Sequence, residues 1–299
     1  MLIRAATRGS TLARWQTEHV AALIQAVDPE VTVEEVIVET TADRRQDVPI
    51  SAMGGKGVFV KEVQAAVLDG RADIAVHSAK DLPSATHPSL ALAAIPERGD
   101  PRDALVGATL DELRPGAKVA TGSIRRRAQL AHLRKGLEFS NLRGNMTTRL
   151  EKAAGFDAII VAAAALQRLG LDDHITQLLE PDVMVPQVGQ GALAVECRDD
   201  AYDLITLLGQ VDHVVTRRLV EAERGFLAEL GGDCDLPAGA HATLVGNDAV
   251  RVDALLASFD GYTVLRERVE SRNGVAAARS AARRLLDERG GAELLAGGQ

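Results

Sequence analysis

Positively charged side chains are concentrated in one part of this sequence, between Arg114 and Lys152. This stretch has ten Lys or Arg against two Glu, whereas the whole chain has a formal net charge of -8. Cationic pieces rich in Gly, Ser, Thr or Asn occur at residues 7–10, 121–127, 142–145 and 147–149. Each piece is typical of a strand-to-helix turn, and helix N-termini and guanidinium groups both bind anions. The pattern predicts a site for a small polyanion, with ordinary surface arginines on amphipathic helices as the alternative.

A second candidate for chemistry is Asp81, in the segment 77–83 with the sequence HSAKDLP. The apolar run before it predicts a short buried strand, and Pro83 ends regular structure. Ser78, Lys80 and Asp81 would then lie at the carboxyl end of that strand. Because nearby cations keep a carboxylate ionised, Asp81 could stabilise a developing positive charge on a substrate or transfer a proton. The alternative is that Asp81 only caps the next turn.

The chain has two cysteines, Cys197 and Cys234, which argues against a disulfide framework and is typical of a reducing compartment. Cys234 lies in the segment LGGDCDLP, where glycines and a proline predict an exposed loop. Its neighbours Asp233 and Asp235 disfavour a thiolate, so Cys234 does not have the surroundings of an ordinary low-pKa nucleophile. Cys197, in an apolar run, is predicted to be a core residue.

Several other motifs carry little weight. The segment 54–57, GGKG, lacks the leading glycine and the Ser/Thr of a phosphate-binding P-loop. The segment 189–194 matches G-x-G-x-x-A but leads into a predicted strand, which disfavours a dinucleotide site. No histidine pair at helical spacing and no C-x-x-C is present, so we expect no metal site.

The composition is that of a soluble globular protein, with 46% hydrophobic residues. The first residues lack the regions of a signal peptide, and no apolar run reaches membrane-spanning length. We therefore expect a cytoplasmic protein without a membrane partner. The acidic net charge and the 3% aromatic content disfavour nucleic-acid binding, since single-strand binders stack bases on aromatic rings.

Short β-branched segments alternate with helical patterns through the first two-thirds of the chain, which predicts an α/β fold with crossover helices. Predicted strands occupy residues 2–6, 31–39, 74–77, 105–106, 118–120, 137–139, 158–161 and 192–197. Predicted helices occupy 11–27 and 57–68, and others start at the cationic turns. Open α/β sheets bind ligands outside the carboxyl ends of their strands, where these turns fall.

The segment 96–103, PERGDPRD, predicts an exposed connection between domains. The strand 192–197 could cross back to the first lobe. Beyond residue 211, a helix at 212–229, strands at 241–245, 250–256 and 262–269, and a helix at 275–286 predict a small α+β domain with an antiparallel sheet. We therefore predict a first lobe at 1–95 and 192–210, a second lobe at 96–191 and a C-terminal domain at 211–299.

Together these motifs resemble the porphobilinogen deaminase family, also called the hydroxymethylbilane synthases. The resemblance covers nearly the whole chain in one order: residues 7–10, 54–62, 77–83, 100–103, the two arginine turns, 168–171, 188–192 and the Cys234 loop. It implies an α/β fold of two lobes with mixed sheets, like those of a periplasmic binding protein. A small α+β domain with a three-stranded antiparallel sheet would follow and carry the cysteine.

The resemblance also implies a function, that of a transferase in tetrapyrrole (haem-type) biosynthesis. Such an enzyme condenses four porphobilinogen molecules head to tail, with loss of ammonia, into linear hydroxymethylbilane. The product grows on a dipyrromethane cofactor, which a thioether joins to the loop cysteine, here Cys234. Each pyrrole carries an acetate and a propionate, so the growing chain is a polyanion that suits many guanidinium groups. We expect a monomer whose partner is the small-molecule substrate.

The family's catalytic aspartate falls on Asp81 in this sequence. The family positions that bind cofactor and substrate carboxylates fall on Lys80, Arg8, Ser10, Ser123, Arg125, Arg126, Arg143, Arg149 and Arg168. Secondary candidates are Thr121, Ser78, Lys56, Phe59 and Gln190. Gly122 stands where a serine is common in the family, which puts one anion contact of that turn in question.

Two other functions are alternatives to this one. A solute-binding protein of the same two-lobed architecture would need neither Cys234 nor Asp81 and would normally carry an export signal. A nucleic-acid binder built on residues 125–127 would show affinity that falls steeply with salt and would hold no chromophore.

Overall fold

The computed structural model describes residues 1–44, 57, 59–231 and 236–296. The chain folds into two compact units. The first consists of Met1–Gly99 and Gly191–Arg217, and the second of Asp100–Gln190 and Arg218–Gln299.

The elements alternate along the chain as an α/β pattern requires. The strands are β1 (Leu2–Arg8), β2 (Thr32–Val38), β3 (Ile74–Ser78), β4 (Leu90–Ala94), β5 (Asp103–Val106), β6 (Lys118–Ala120), β7 (Glu138–Ser140), β8 (Ala158–Ala162), β9 (Gln177–Leu179), β10 (Leu193–Arg198), β11 (Ala238–Val245), β12 (Ala249–Ala257) and β13 (Val264–Ser271). The α-helices are α1 (Thr11–Val27), α2 (Thr41–Arg44), α3 (Lys61–Leu68), α4 (Ile124–Leu133), α5 (Met146–Ala153), α6 (Ala163–Gln167), α7 (Tyr202–Leu208), α8 (Val214–Glu229), α9 (Gly274–Arg283) and α10 (Gly291–Ala296).

Each unit contains a mixed five-stranded sheet. In the first unit the order is β2-β1-β3-β10-β4, with β1 parallel to β2 and β3 and with β10 antiparallel to β3 and β4. In the second unit the order is β7-β6-β8-β5-β9, with β6 parallel to β7 and β8 and with β5 antiparallel to β8 and β9. The predicted α/β class with mixed sheets is confirmed.

Strand β10 returns to the first sheet after the long excursion through the second unit. Leu193 pairs with Ser78 and Cys197 with Ile74, so β10 lies between β3 and β4. Its core position explains its apolar sequence, because a strand covered on both faces is hydrophobic at successive positions. The predicted crossing back of this segment is confirmed.

The C-terminal part of the second unit is a separate antiparallel sheet of order β11-β12-β13. Helices α8 and α9 cover one face of it, and the shared core includes Phe226, Val250, Val252 and Ala278, all fully buried or nearly so. The predicted small α+β domain with three antiparallel strands is confirmed.

Side-chain caps start the helices at the cationic turns. Ser10 accepts a hydrogen bond from the backbone N–H of Ala13 at the start of α1, and Ser123 accepts one from that of Arg126 at the start of α4. Asn145 caps α5 in the same way. Such caps satisfy backbone donors that the first helical turn leaves without partners. The prediction of strand-to-helix turns is confirmed for residues 7–10, 121–127 and 142–145, whereas residues 147–149 lie inside α5, so the prediction for them is wrong.

Three expectations need correction. Strands β4 and β9 were not predicted, because neither shows an alternating pattern of its own. Helix α3 starts at Lys61 and not at residue 57. The connection at 96–103 is not exposed throughout, since Asp103 is fully buried. Across the described ranges, no helix is long and apolar enough to cross a membrane.

Candidate functional site

The predicted residues of the first unit lie at the carboxyl ends of its parallel strands. Arg8 is the last residue of β1, and Ser78 is the last residue of the neighbouring β3. Residues Ala79–Asp81 form a single 3-10 turn directly after β3. This is the edge at which open α/β sheets bind ligands. The structure therefore brings Arg8, Ser78, Lys80 and Asp81 to one edge of one sheet.

The Asp81 carboxyl group is partly buried and does not close its own turn. The turn is closed by the backbone N–H of Leu82, which donates to the Ala79 carbonyl at 3.3 Å. Within the described part of the chain, no hydrogen bond or ion pair occupies the Asp81 side chain. Ser78 is held beside it by the buried Gln16, whose Nε2 donates to Ser78 Oγ at 2.9 Å. The carboxylate thus lies at the sheet edge without a side-chain partner among the described residues.

Arg8 is fixed by a carboxylate that the sequence did not single out. Its Nε donates to Asp43 Oδ2 at 3.1 Å, and its guanidinium lies over the Phe59 ring, 4.5 Å from the centroid. Asp43 is held in turn by the Thr40 hydroxyl, which donates at 2.7 Å. Burial alone would raise the pKa of Asp43, but hydrogen bonds from Arg8 and Thr40 outweigh it and lower the pKa. Asp43 therefore stays ionised and orients the Arg8 fork.

Five of the predicted residues of the second unit also follow the carboxyl ends of parallel strands. Thr121 and Ser123 follow β6, Arg143 and Arg149 follow β7, and Arg168 follows β8 after α6. Thr121 is buried, and its hydroxyl accepts the backbone N–H of Ser123 at 3.2 Å. Two predicted residues, Lys56 and Cys234, lie outside the described residues.

Steric crowding explains why glycine is present at position 122. A Cβ atom built there would lie 3.0 Å from the Leu142 carbonyl oxygen, closer than ordinary contact. Glycine thus lets the β6 turn pass close to the turn that follows β7, where Arg149 Nε donates to the Gly144 carbonyl at 2.9 Å. The serine common in the family at this position would need a local shift in this chain.

Arg125 and Arg126 do not project into solvent but share one buried carboxylate. Asp103 Oδ2 accepts from Arg125 Nη2 at 2.8 Å, and Asp103 Oδ1 accepts from Arg126 Nε at 2.9 Å. The fully buried Gln190 completes the cluster, since its Nε2 donates to Asp103 Oδ1 at 2.9 Å and its Oε1 accepts from Arg126 at 3.1 Å. The four side chains form a closed polar network inside the second unit. Sequence reasoning missed Asp103, which the PERGDPRD motif contains.

The network has unequal numbers of opposite charges. Burial alone would raise the pKa of Asp103, but the two guanidinium groups and the Gln190 amide outweigh it and hold the pKa below its ordinary value. One carboxylate therefore faces two cations, and the buried Nε of Arg125 makes no hydrogen bond to any described residue. The cluster of Arg125, Arg126, Asp103 and Gln190 therefore carries a net positive charge. Burial also lowers the pKa of Arg168, at the C-terminal end of α6, to about 10.

We expect Asp103→Asn to lower the free energy of unfolding by about 3–5 kcal/mol at neutral pH, because two buried guanidinium groups lose their carboxylate. The pKa of Asp103 is depressed by folding, so its stabilisation is fully present above the unfolded value of about 3.9 and is lost as the pH falls through the folded value. In urea titrations the difference between wild type and variant should shrink below about pH 4.

Asp111 provides the control for this substitution, because its side chain is 90% exposed where it pairs with Arg134. Asp111→Asn should cost about 1 kcal/mol or less. Equal losses for the two variants would contradict the assignment of the Asp103 network as a structural anchor.

Neither a metal centre nor a second reactive thiol emerges from the described ranges. No group of three His, Cys, Asp or Glu among these residues could hold a metal ion. Cys197 is fully buried in β10, as predicted, and burial raises the pKa of its thiol to about 11.

Sequence similarity to known families covers most of the chain. The family model for "Porphobilinogen deaminase, dipyromethane cofactor binding domain" matches residues 3–206, and the model for "Porphobilinogen deaminase, C-terminal domain" matches residues 218–288. A porphobilinogen deaminase of Nitratidesulfovibrio vulgaris strain DP4 is 48% identical over 271 residues, which cover 89% of this chain and 86% of the relative. That of Roseiflexus castenholzii is 46% identical over 296 residues, which cover 97% of each chain.

Solved structures with a similar chain path include solute-binding proteins. A methionine-binding protein is 12% identical, with a TM-score of 0.43 over 70% of this chain and 89% of that chain. A periplasmic solute-binding protein from Desulfovibrio salexigens is also 12% identical, with a TM-score of 0.43 over 71% of this chain and 72% of that chain.

Proposed function

Because the chain belongs to the porphobilinogen deaminase family, we infer that it is the transferase that condenses porphobilinogen head to tail into hydroxymethylbilane in tetrapyrrole biosynthesis. The observation that carries this inference is the occurrence of both family domains, in order, over nearly the whole chain. Four substrate molecules are joined for each product, and each joining step releases ammonia.

The cofactor is dipyrromethane, because the first matching family domain is the dipyrromethane cofactor binding domain. The donor set of the second unit fits this group, because pyrrole acetates and propionates are carboxylates and the unit offers guanidinium, hydroxyl and amide donors. A carboxylate beside Arg168 would offset the burial that lowers the pKa of that residue. Arg125, Arg126, Arg143, Arg149 and Arg168, with Ser123, Thr121 and Gln190, are the proposed ligands in this unit.

Attachment of the cofactor is assigned to Cys234. Of the two cysteines, Cys197 is fully buried in a central strand with a raised pKa and is closed to a bulky adduct. Cys234 lies in a Gly-rich loop sequence ahead of β11. When bound, the cofactor supplies the primer to which substrate units are added.

Asp81 is the proposed catalytic residue. Its carboxylate would stabilise positive charge on the pyrrole nitrogen as ammonia leaves, and would accept or return a proton at that nitrogen. Lys80, Arg8, Ser10, Ser78, Phe59 and Lys56 are proposed to position the substrate at the first sheet edge. Asp43, itself held by Thr40, binds both Nε and Nη2 of Arg8, and the remaining Nη1 of the oriented guanidinium group is proposed to bind a substrate carboxylate.

The setting of this activity belongs to the same proposal. Residues 1–95 with 192–210 form the lobe that carries Asp81, residues 96–191 form the arginine-rich lobe, and residues 211–299 form the cofactor-carrying domain. The protein acts as a monomer in the cytoplasm, on a small-molecule substrate, without nucleic acid or membrane. The acidic net charge supports the exclusion of nucleic acid.

The intact mass of the purified protein, before and after addition of porphobilinogen, tests the function. We expect a mass increment of two linked pyrroles on a peptide that contains Cys234, further increments with substrate, and release of ammonia and a linear tetrapyrrole. A chain that stays unmodified and consumes no porphobilinogen would overturn the proposal and favour a solute-binding protein.

A further inference from the structure

Glu223 is a fully buried carboxylate within the second unit. It lies on α8, and its two oxygens accept hydrogen bonds from two separate backbone segments. Oε2 accepts the N–H of Gly189 at 2.7 Å, and Oε1 accepts the N–H of Ala242, on β11, at 2.9 Å. A buried carboxylate is costly unless such bonds satisfy it. Glu223 therefore ties the segment before Gln190 to strand β11.

The same segment is fixed on its other side to helix α4. Arg125 Nη1 donates to the Val185 carbonyl at 2.6 Å, and the buried Gln129 exchanges two hydrogen bonds with the Val185 backbone, at 2.8 and 3.0 Å. Val185 also packs with Ala128 of α4 and with Leu255 of β12 in one apolar cluster. The position of Val185 is thus set by the arginine network and by the C-terminal sheet together.

Residues 185–189 are called the seam, and strand β11 contacts the seam through a glycine. A Cβ atom built on Gly239 would lie 2.6 Å from the Pro186 carbonyl oxygen and 3.0 Å from that of Val185. It would also lie 3.2 Å from Cδ of Arg125. Backbone oxygens cannot rotate away as a side chain can, so a methyl group at this position must displace β11 or the seam.

We propose that Glu223 and Gly239 are positioning residues for the covalent cofactor. They fix β11 against Arg125 and the Asp103 network, and β11 starts at Ala238, only a few residues after Cys234. Strand β11, which follows Cys234 in the sequence, is thereby fixed against side chains that we propose as ligands of the primer carboxylates. The role rests on the proposed function, because it requires a primer on Cys234.

Two variants act on this anchor in different ways. Glu223→Gln keeps the side-chain volume but replaces one accepting oxygen by an NH2 group, so one of the two backbone N–H groups loses its acceptor. Gly239→Ala adds a methyl group against backbone oxygens. Gly274→Ala is the matched control, because its Cβ would crowd the Ala222 and Val250 side chains in the core of the same C-terminal sheet, 3.0–3.1 Å away.

The full-length proteins are purified with their cofactor and mixed with less than one equivalent of porphobilinogen. Intact mass gives the cofactor occupancy and the rate of the first addition per loaded chain, and thermal unfolding gives Tm. Hydrogen exchange at the amides of Gly189 and Ala242 reports on the two bonds of Glu223.

We expect both positioning variants to add the first pyrrole at least tenfold more slowly per loaded chain, since a misplacement of about 1 Å can cost a hundredfold in rate. Occupancy should fall in both, and one of the two amides should exchange faster in the Glu223→Gln protein. The Gly274→Ala protein should have a lower Tm, but its rate per loaded chain should stay within about twofold of wild type, as expected for a purely structural change.

Positioning variants that load and react like wild type, or rates that follow Tm across all three variants, would overturn the positioning role. A wild-type chain without any pyrrole adduct would instead overturn the proposed function, so the two failures are distinguishable.

Discussion

Asparagine at position 81 should remove nearly all turnover and leave the fold and the cofactor in place. The Asp81 carboxylate lies at the carboxyl edge of the first sheet, and no described residue takes up its charge. Losing a general acid or base that acts on the reacting nitrogen lowers rates by about 100-fold to 10,000-fold. We expect this loss in kcat for porphobilinogen consumption, measured as ammonia release. A partly exposed Asp without a partner should contribute about 0.5 kcal/mol or less to stability.

Asp69 provides the control for that experiment. It lies in the turn before β3, at the opposite end of the strand from Asp81, and is exposed. Asp69→Asn should keep the turnover of wild type. An Asp81→Asn protein with a normal rate would contradict the catalytic assignment. A wild-type protein without turnover, whose affinity for porphobilinogen is unchanged by Asp81→Asn, would favour a binding protein.

Alanine at position 234 should abolish the covalent cofactor, whereas alanine at position 197 should not. A thioether needs a sulfur atom, so the Cys234→Ala protein should have the mass of the unmodified chain and no turnover. Cys197 is buried in β10, and burial raises the pKa of its thiol to about 11. The Cys197→Ala protein should therefore keep the full adduct, with a loss of about 1 kcal/mol in stability.

Intact mass and peptide fragmentation of both variants measure the result. An adduct that persists in the Cys234→Ala protein would show that another side chain holds the primer, and the assignment of the C-terminal domain as cofactor carrier would fail with it. Loss of the adduct in both variants would point to an indirect effect of destabilisation, which Tm would reveal.

The sequence predicted the helices and strands whose apolar spacing and end signals are local in the chain. Helix α1 has the predicted bounds, Thr11–Val27, because its apolar spacing lies within the helix and its cap, Ser10, directly precedes it. The return of β10 to the first sheet was also predicted, from an apolar run after a glycine turn. Strand β4 was missed, because its sequence, LALAA, has as much helical as strand character and its place is decided by pairing with β10.

The charged residues that organise the sites were harder to predict. The position of Asp103 in a Pro- and Gly-rich segment indicated exposure, yet Arg125, Arg126 and Gln190 bury it from far along the chain. Asp43 and Glu223 were missed for the same reason: each is defined by partners that only the folded chain brings within reach. The turns that we propose to bind anions carry a local signature of Gly, Ser and Arg, whereas the carboxylates that hold those arginines carry none.

The insertion of β10 between β3 and β4 has a consequence for synthesis on the ribosome. Residues 1–99 contain four strands of the first sheet, but its interior fifth strand is made only after the whole segment 100–190 has been translated. Until then β3 and β4 have unpaired edges, and open edges of this kind invite pairing with other chains. The first sheet cannot be completed until β10 has been translated. The second five-stranded sheet, β5 to β9, has all its strands before that point and can begin to fold earlier. The sheet that begins first along the chain is therefore the later of the two five-stranded sheets to have all its strands.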